Sequence, residues 1–181
     1  MTQADPSDEL AAARRRLAEL EAAEADRRDA EKVHAGLFRI AELARAAQDL
    51  QEFYRAVHGV IGELMNASNF FIALYDEERQ LISWPYYVDA LDLDIPDPDQ
   101  WDAFGTGNAR GTTAYVMRTG QPQLLTHARM VELQDLGEVE MVGADTEDST
   151  WLGAPLKAEG RTVGAIVVQS YSAEVSYTEE D

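Results

Sequence analysis

The chain has no cysteine. That excludes disulfides, thiolate metal sites, a thiol nucleophile and any chromophore attached through a thioether. Basic residues are scarce beyond residue 48. Residues 49–181 hold 7 Lys/Arg against 24 Asp/Glu, whereas residues 1–48 hold 8 against 10, in a chain of net charge −19. So acidic a surface repels phosphate backbones, so no nucleic-acid partner is expected, and its plainest reading is solubility. No apolar run approaches the ~20 residues that span a bilayer. The start, MTQADPSDEL, is polar and lacks a signal-peptide pattern. A cytoplasmic location without membrane contact follows as the expectation. His34, His58 and His127 share no metal-ligand spacing, and no Ser-His-Asp pattern occurs. No catalytic residue, metal site or cofactor is assigned.

What is present is a chain of 181 residues, 45% hydrophobic, enough for one domain with a core and an appendage. Asp5 caps a helix and Pro6 suits its first position. Residues 8–47 are rich in Ala, Leu, Glu and Arg, all strong helix formers. Leu10, Ala13, Leu17 and Leu20 recur at coiled-coil spacing, and Ala30, Val33, Leu37, Ile40, Ala44 and Ala47 do so again. The two registers do not join smoothly, which predicts a weak or shifted stretch over 21–29. A lone helix exposing such a seam is marginal in water, so pairing with a second copy is expected. At ~60 Å it outreaches a domain of this size, which argues against its folding back.

A variant capping box, Asp49-Leu50-Gln51-Glu52, opens a second helix whose stripe is Leu50, Phe53, Tyr54, Val57, Ile61, Leu64 and Met65. Asn69–Val88 reads as a hairpin turning at Asp76–Arg79. A two-stranded hairpin is unstable alone and requires further strands and helices against it. The acidic loop 89–102 follows, with Pro96 and Pro98. Its apolar side chains, Leu91, Leu93, Ile95 and Trp101, with Phe104 just beyond, predict that it folds over something. Asp92, Asp94, Asp97 and Asp99 alternate along it, as a solvated acidic loop or as weak ligands of a hard cation, and no bidentate Glu stands at EF-hand spacing. Gly105–Gly111 is glycine-rich but matches neither nucleotide-binding pattern, and reads as a flexible connection. A short helix over Thr112–Thr119 stops at Gly120. Gln123–Leu125 reads as a strand, and Thr126 caps a helix to Leu136. Trp151–Leu156 and Thr162–Tyr171 are strands joined through a tight turn. Thr178 reads as the cap of a further helix, truncated at the chain end.

With Phe70–Asp76, Gly111–Pro122 and Trp151–Tyr171 (WLGAPLKAEGRTVGAIVVQSY) in this order, the chain resembles a GAF domain. The resemblance covers about residues 35–181. It is to bacterial GAF domains that precede diguanylate cyclase, cyclic-di-GMP phosphodiesterase or histidine kinase domains. It implies an α+β fold: an antiparallel sheet of five to six strands with helices on both faces, here preceded by a long coiled-coil helix. The expected division is 1–48 as signalling helix and 49–181 as GAF domain. The implied function is a sensory and dimerisation module that binds a small molecule and relays the signal to a C-terminal output domain, with cyclic-di-GMP turnover the leading choice. A ligand-free module that only dimerises and transmits is the alternative, and a small-molecule enzyme a further one. Homodimerisation would use the N-terminal helix and the helix beginning at Leu50. Bilin attachment and methionine-sulfoxide reduction need a cysteine, and the cyclic-nucleotide signature is not matched.

The resemblance also implies a pocket on the sheet face away from those helices. Alternation puts Phe70, Ile72 and Leu74 on one face of the first strand and Phe71, Ala73 and Tyr75 on the other. The second set is assigned to the pocket, the first to the helix holding Phe53 and Val57. Ala165, Val167, Gln169 and Tyr171 share a face of the last strand, and Gln169 among apolar neighbours needs hydrogen-bond partners. Trp84, Tyr86, Trp101, Phe104, Thr113, Tyr115 and Trp151 complete the ligand-binding candidates, together with Arg110 for an anionic group.

Overall fold

The structure, a computed structural model, describes residues 6–92, 94–106, 110–178 and 181, with the backbone alone at 6–9, 11 and 12. Helix α1 runs unbroken over Pro6–Ala46. Asp5, assigned as its cap, lies outside the described residues. The junction of the two apolar registers causes no break. Ion pairs one turn apart, Arg28–Glu24 and Lys32–Asp29 (both 2.6 Å), cross that stretch and support it where its side chains are exposed.

Only the last third of α1 meets the rest of the chain, through α2 (Leu50–Leu64). The contact is close because Gly36 is buried there. A Cβ on Gly36 would stand 3.2 Å from Leu64 Cδ1 and 3.3 Å from Val60 Cγ1. Arg39 and Glu63 pair across the two helices. Asp49 caps α2 by accepting from the Glu52 amide at 2.7 Å, as the sequence pattern predicts.

Strands β1 (Asn69–Asp76) and β2 (Leu81–Val88) form the expected hairpin. A two-residue strand β3 (Asp102–Ala103) lies at the end of the acidic loop. Helix α3 (Thr112–Thr119), strand β4 (Gln123–Thr126), helix α4 (His127–Asp135) and strands β5 (Thr150–Ala158) and β6 (Arg161–Ser170) complete the order. Glu159 and Gly160 both take positive φ, the two-residue turn whose twist suits a β-hairpin. The described strands form a six-stranded antiparallel sheet in the order β3-β2-β1-β6-β5-β4.

The sheet has a core on each face. Phe70, Ile72, Val168, Tyr54, Val57 and Tyr177 pack on the α2 side. Phe71, Ala73, Ile82, Trp84, Trp151, Ala165 and Val167 pack on the other with Val116 and Met117 of α3 and Met130 and Leu133 of α4. The helix start read at Thr178 falls on residues 179 and 180, which lie outside the described residues.

Candidate ligand-binding site

Strand β2 carries one irregularity that arranges the site. Ile72 pairs with Tyr86 but Leu74 pairs with Ser83, so Trp84 and Pro85 together face Ala73. This is a β-bulge, and Pro85, having no N–H to give to the ladder, suits it. The bulge reverses the side-chain phase. Trp84 joins the core opposite α2, while Tyr86, two residues on, joins the α2 side. There the Tyr86 hydroxyl donates to His58 Nδ1 (2.9 Å), and His58 Nε2 donates to the Ala67 carbonyl (2.7 Å). The carbonyl can only accept, so Nε2 carries a proton. Pro85 offers its carbonyl to Gln51 Nε2 of α2 at 2.7 Å. Beyond the bulge Tyr87 returns to the far face and stacks on Phe71, ring centres 5.1 Å apart.

On that face lies a cavity of about 90 Å³. Phe71, Trp84, Tyr87 and Trp151 form aromatic walls, and Met130 and Met141 add apolar surface. Thr113, from the first turn of α3, and Ser149 also line it. Trp151 is seated by a missing side chain: a Cβ on Gly153 would stand 2.2 Å from its Cη2, so the indole lies across the bare backbone. Gln169 at the end of β6 has its partners. Its amide donates to Asp89 and, at 2.6 Å, to the Tyr171 hydroxyl, which donates to Asp89 at 2.8 Å.

Two loops close the cavity. The first leaves β2 and is set by its own aspartates. Asp89 Oδ1 accepts from the amides of Leu91 (2.9 Å) and Asp92 (2.8 Å), and Asp92 Oδ1 from that of Asp94 (3.1 Å). Asn69 ties its start to the sheet by accepting from the Ala90 amide at 2.8 Å. Asp92, Asp94 and Pro96 thereby face the cavity, while Leu91 and Ile95 face solvent. The second loop, after α4, supplies Glu140, Met141, Val142, Gly143 and Asp145. Gly143 has φ +80°, and a Cβ there would stand 2.7 Å from Asp92 Oδ2, so the loops meet at a bare backbone. Burial first, then the charges of Asp92 and Asp89, push the Tyr87 phenol well above its usual range. Burial and the hydrogen bond to Asp89 do the same for Tyr171.

Of the candidates named from sequence, Phe71, Trp84, Thr113, Trp151 and Gln169 come together around this cavity. Ala73 is fully buried in the core beneath. Tyr75 packs on Phe104 with the rings tilted, centres 4.5 Å apart, and Tyr115 lies under the Arg118 guanidinium, so these three pack around the same core without lining the cavity. Arg110 pairs with Glu140 at 2.6 Å, bridging the two sides of the opening from outside. Tyr86 is displaced to the other face by the bulge. The acidic loop does fold over the sheet face, as expected, with Phe104 just beyond it packed on the core, but its other apolar residues do not carry the contact. Leu91, Ile95 and Trp101 are exposed, because the Asp-anchored turns direct the aspartates inward instead; Leu93 lies outside the described residues. Tyr87, Met130, Glu140, Met141, Asp145 and Ser149 were not singled out from sequence. Pro85 inside a strand was the available signal for Tyr87. His127 Nδ1 lies 2.6 Å from Asp145 Oδ2, and of this pair only Asp145 reaches the cavity.

These features define an α+β domain with a loop-covered cavity on one face of its sheet. Residues 47–181 match the GAF domain family, and the chain belongs to it. GAF domains commonly serve as sensory or regulatory modules. Similar solved structures include the nlh2 GAF domain of A. aeolicus in an inactive state (16% identity, TM-score 0.55, 84% of each chain covered). The GAF domain of a phosphoenolpyruvate-protein phosphotransferase from Coxiella burnetii is similar too (19%, 0.56, 83% of this chain and 84% of that one). So is the free methionine-R-sulfoxide reductase of Neisseria meningitidis in complex with its substrate (14%, 0.54, 84% and 80%). At such identities the likeness concerns the fold. No curated protein sequence matches the chain.

Proposed function

We propose that the chain is a sensory and dimerisation module of a bacterial signalling protein, binding a small molecule in the cavity and doing no chemistry of its own. Residues 1–48 act as the signalling helix and 49–181 as the sensor. The observation that carries this reading is the cavity, walled by Phe71, Trp84, Tyr87 and Trp151 on the sheet face opposite α1 and α2. Concave sites with aromatic walls and a few placed polar groups are where small ligands bind. Dimerisation is supported by Leu10, Leu17, Leu20, Val33 and Leu37, which lie exposed along α1. Gly59 and Gly62 on α2 leave further room for a partner helix. Occupancy of the cavity would change how the paired helices pack, and so bias a C-terminal output domain, with cyclic-di-GMP turnover the leading choice.

The test combines light scattering with thermal shifts against a metabolite panel. A dimer at tens of micromolar, together with a ligand that raises the melting temperature, is expected. A dimer that no compound stabilises would instead favour a module that only dimerises and transmits. The cavity's size lends that reading some support, since about 90 Å³ is small beside the ~300–1,000 Å³ of drug-sized sites. A monomer would count against both.

A further inference from the structure

We infer that the cavity takes a small organic ammonium ion, its alkyl groups against Trp84, Trp151 and Phe71 and its charge facing Asp92 and Asp94. The inference rests on the cavity being the ligand site and names the ligand's chemical class.

The walls come first. Aromatic faces attract cations, and aromatic cages are a recurrent way of holding alkylated ammonium groups. Three rings here, Phe71, Trp84 and Trp151, are each 4–5% exposed, so they are held in place before any ligand arrives. The charge comes second. Four carboxylates line the cavity, and no Lys, Arg or His side chain does. Glu140 is paired with Arg110, and Asp145 is hydrogen-bonded to the His127 ring, each at 2.6 Å. Among the described residues, which include every Lys, Arg and His of the chain, none lies within ion-pair distance of Asp92 or Asp94. An anionic ligand would meet these carboxylates with no counter-charge.

A metal ion is the other cation to weigh. Among the described residues no three His, Asp or Glu side chains converge as a metal site requires. Asp97 and Asp99 do not line the cavity, and Asp97 Oδ1 accepts from the Asp99 amide at 3.0 Å. A cavity of about 90 Å³ has room for an ammonium centre with a few carbons, and its apolar walls suit those carbons. The inversion in the first loop points the same way. Aspartates face inward and Leu91 and Ile95 outward, the reverse of what packing alone selects. Local rules are broken in this manner chiefly at functional sites.

The full chain is titrated calorimetrically with tetramethylammonium, choline and n-butylammonium chlorides. Parallel titrations use 3,3-dimethylbutan-1-ol, the neutral counterpart of choline, and sodium acetate. At least one cation is expected to bind about tenfold or more tightly than the neutral alcohol, with no acetate binding. The double variant Asp92→Asn, Asp94→Asn should lose about tenfold toward that cation and little toward the alcohol. If the alcohol or acetate binds as tightly as the cations, the charge assignment is wrong although the cavity remains a ligand site. If none of the five binds, the inference fails with it. A ligand that then emerged from the wider metabolite panel would preserve the sensory reading, and none there would remove that as well. The comparison of cation with neutral counterpart uses the unmodified protein, so it stands even if the double variant does not fold.

Discussion

The two faces of one sheet are covered in different ways. On the α2 side the cover is a regular helix whose apolar stripe repeats every three to four residues, and Phe70 beneath it has no exposure at all. Its His58 ring stacks on Phe70 (4.6 Å, 4° between planes) and has both nitrogens bonded. On the other side α3 and α4 cover only part of the sheet, and two loops cover the rest. Those loops must satisfy their own backbone groups: the first does so with Asp89 and Asp92, the second through Ser149, which accepts from the Thr146 amide, and the Arg110 carbonyl, which accepts from the Glu140 amide. The result is a polar roof over aromatic walls, with space between. A helix seals a sheet, whereas self-bonded loops leave a cavity.

The contrast can be broken by mutation. Phe70→Ala should cost about 3–5 kcal/mol in urea unfolding, as expected for a sealed core. Phe71→Ala, one residue along on the cavity wall, should cost about half as much. Equal costs would mean that the two faces are packed alike. Gly153→Ala should cost about 1–3 kcal/mol, since the new Cβ must displace the Trp151 indole. Loss of Trp151 fluorescence anisotropy or a wavelength shift would accompany it, and an unchanged spectrum would contradict the seating described.

Alkaline pH probes both faces. Burial first, then the nearby Asp181 charge, push the Tyr177 phenol up to about 12. The neutral form is favoured in the folded protein. Its stabilisation is therefore complete below the ordinary pKa of 10.0 and is lost as pH rises toward 12. On the order of 2 kcal/mol should disappear in that window. Tyr177→Phe should remove this share of the decline, and Tyr87→Phe a share from the cavity face; a decline that neither variant alters would refute the assignment. The smallest effect is expected at Gly143→Ala, about 1 kcal/mol for a left-handed residue. It should also perturb the Asp92 carboxylate, read as a change in any cavity ligand's affinity larger than that of Gly105→Ala. Gly105 has φ +79° but open space around it.

Much of this was readable from sequence. Most of the α2 stripe, the Asp49 and Thr126 caps, the turn at Glu159-Gly160 and the division of β1 into two faces follow from local periodicity and turn chemistry, although Leu50 of that stripe is exposed and the buried Val60 was not in it. Alternation also placed Gln169 on the cavity face, and Trp84, named only as an aromatic of the second strand, lies there too. The assignment of Tyr86 to the same pocket failed because period two holds only where strands are regular, and one extra residue reverses it. The roof was illegible for a different reason. Asp92, Asp94, Glu140 and Asp145 sit in loops, where hydrogen bonds made residue by residue, rather than any repeat, decide what points inward. The aspartates of loop 89–102 stood out as a charge pattern, but nothing periodic tells which ones turn toward the sheet.

Pro85 has a consequence beyond re-phasing a strand. Three successive residues touch three different things: Trp84 the cavity, the Pro85 carbonyl Gln51 of α2, and Tyr86 His58 of α2. The floor of the chamber and the handle on the helix are thus parts of one short lever with a stiff ring at its fulcrum. Under the proposed function, a tilt of the Trp84 indole would have one residue to travel before reaching α2 at two points. A coupling so short would leave little slack between occupancy and movement.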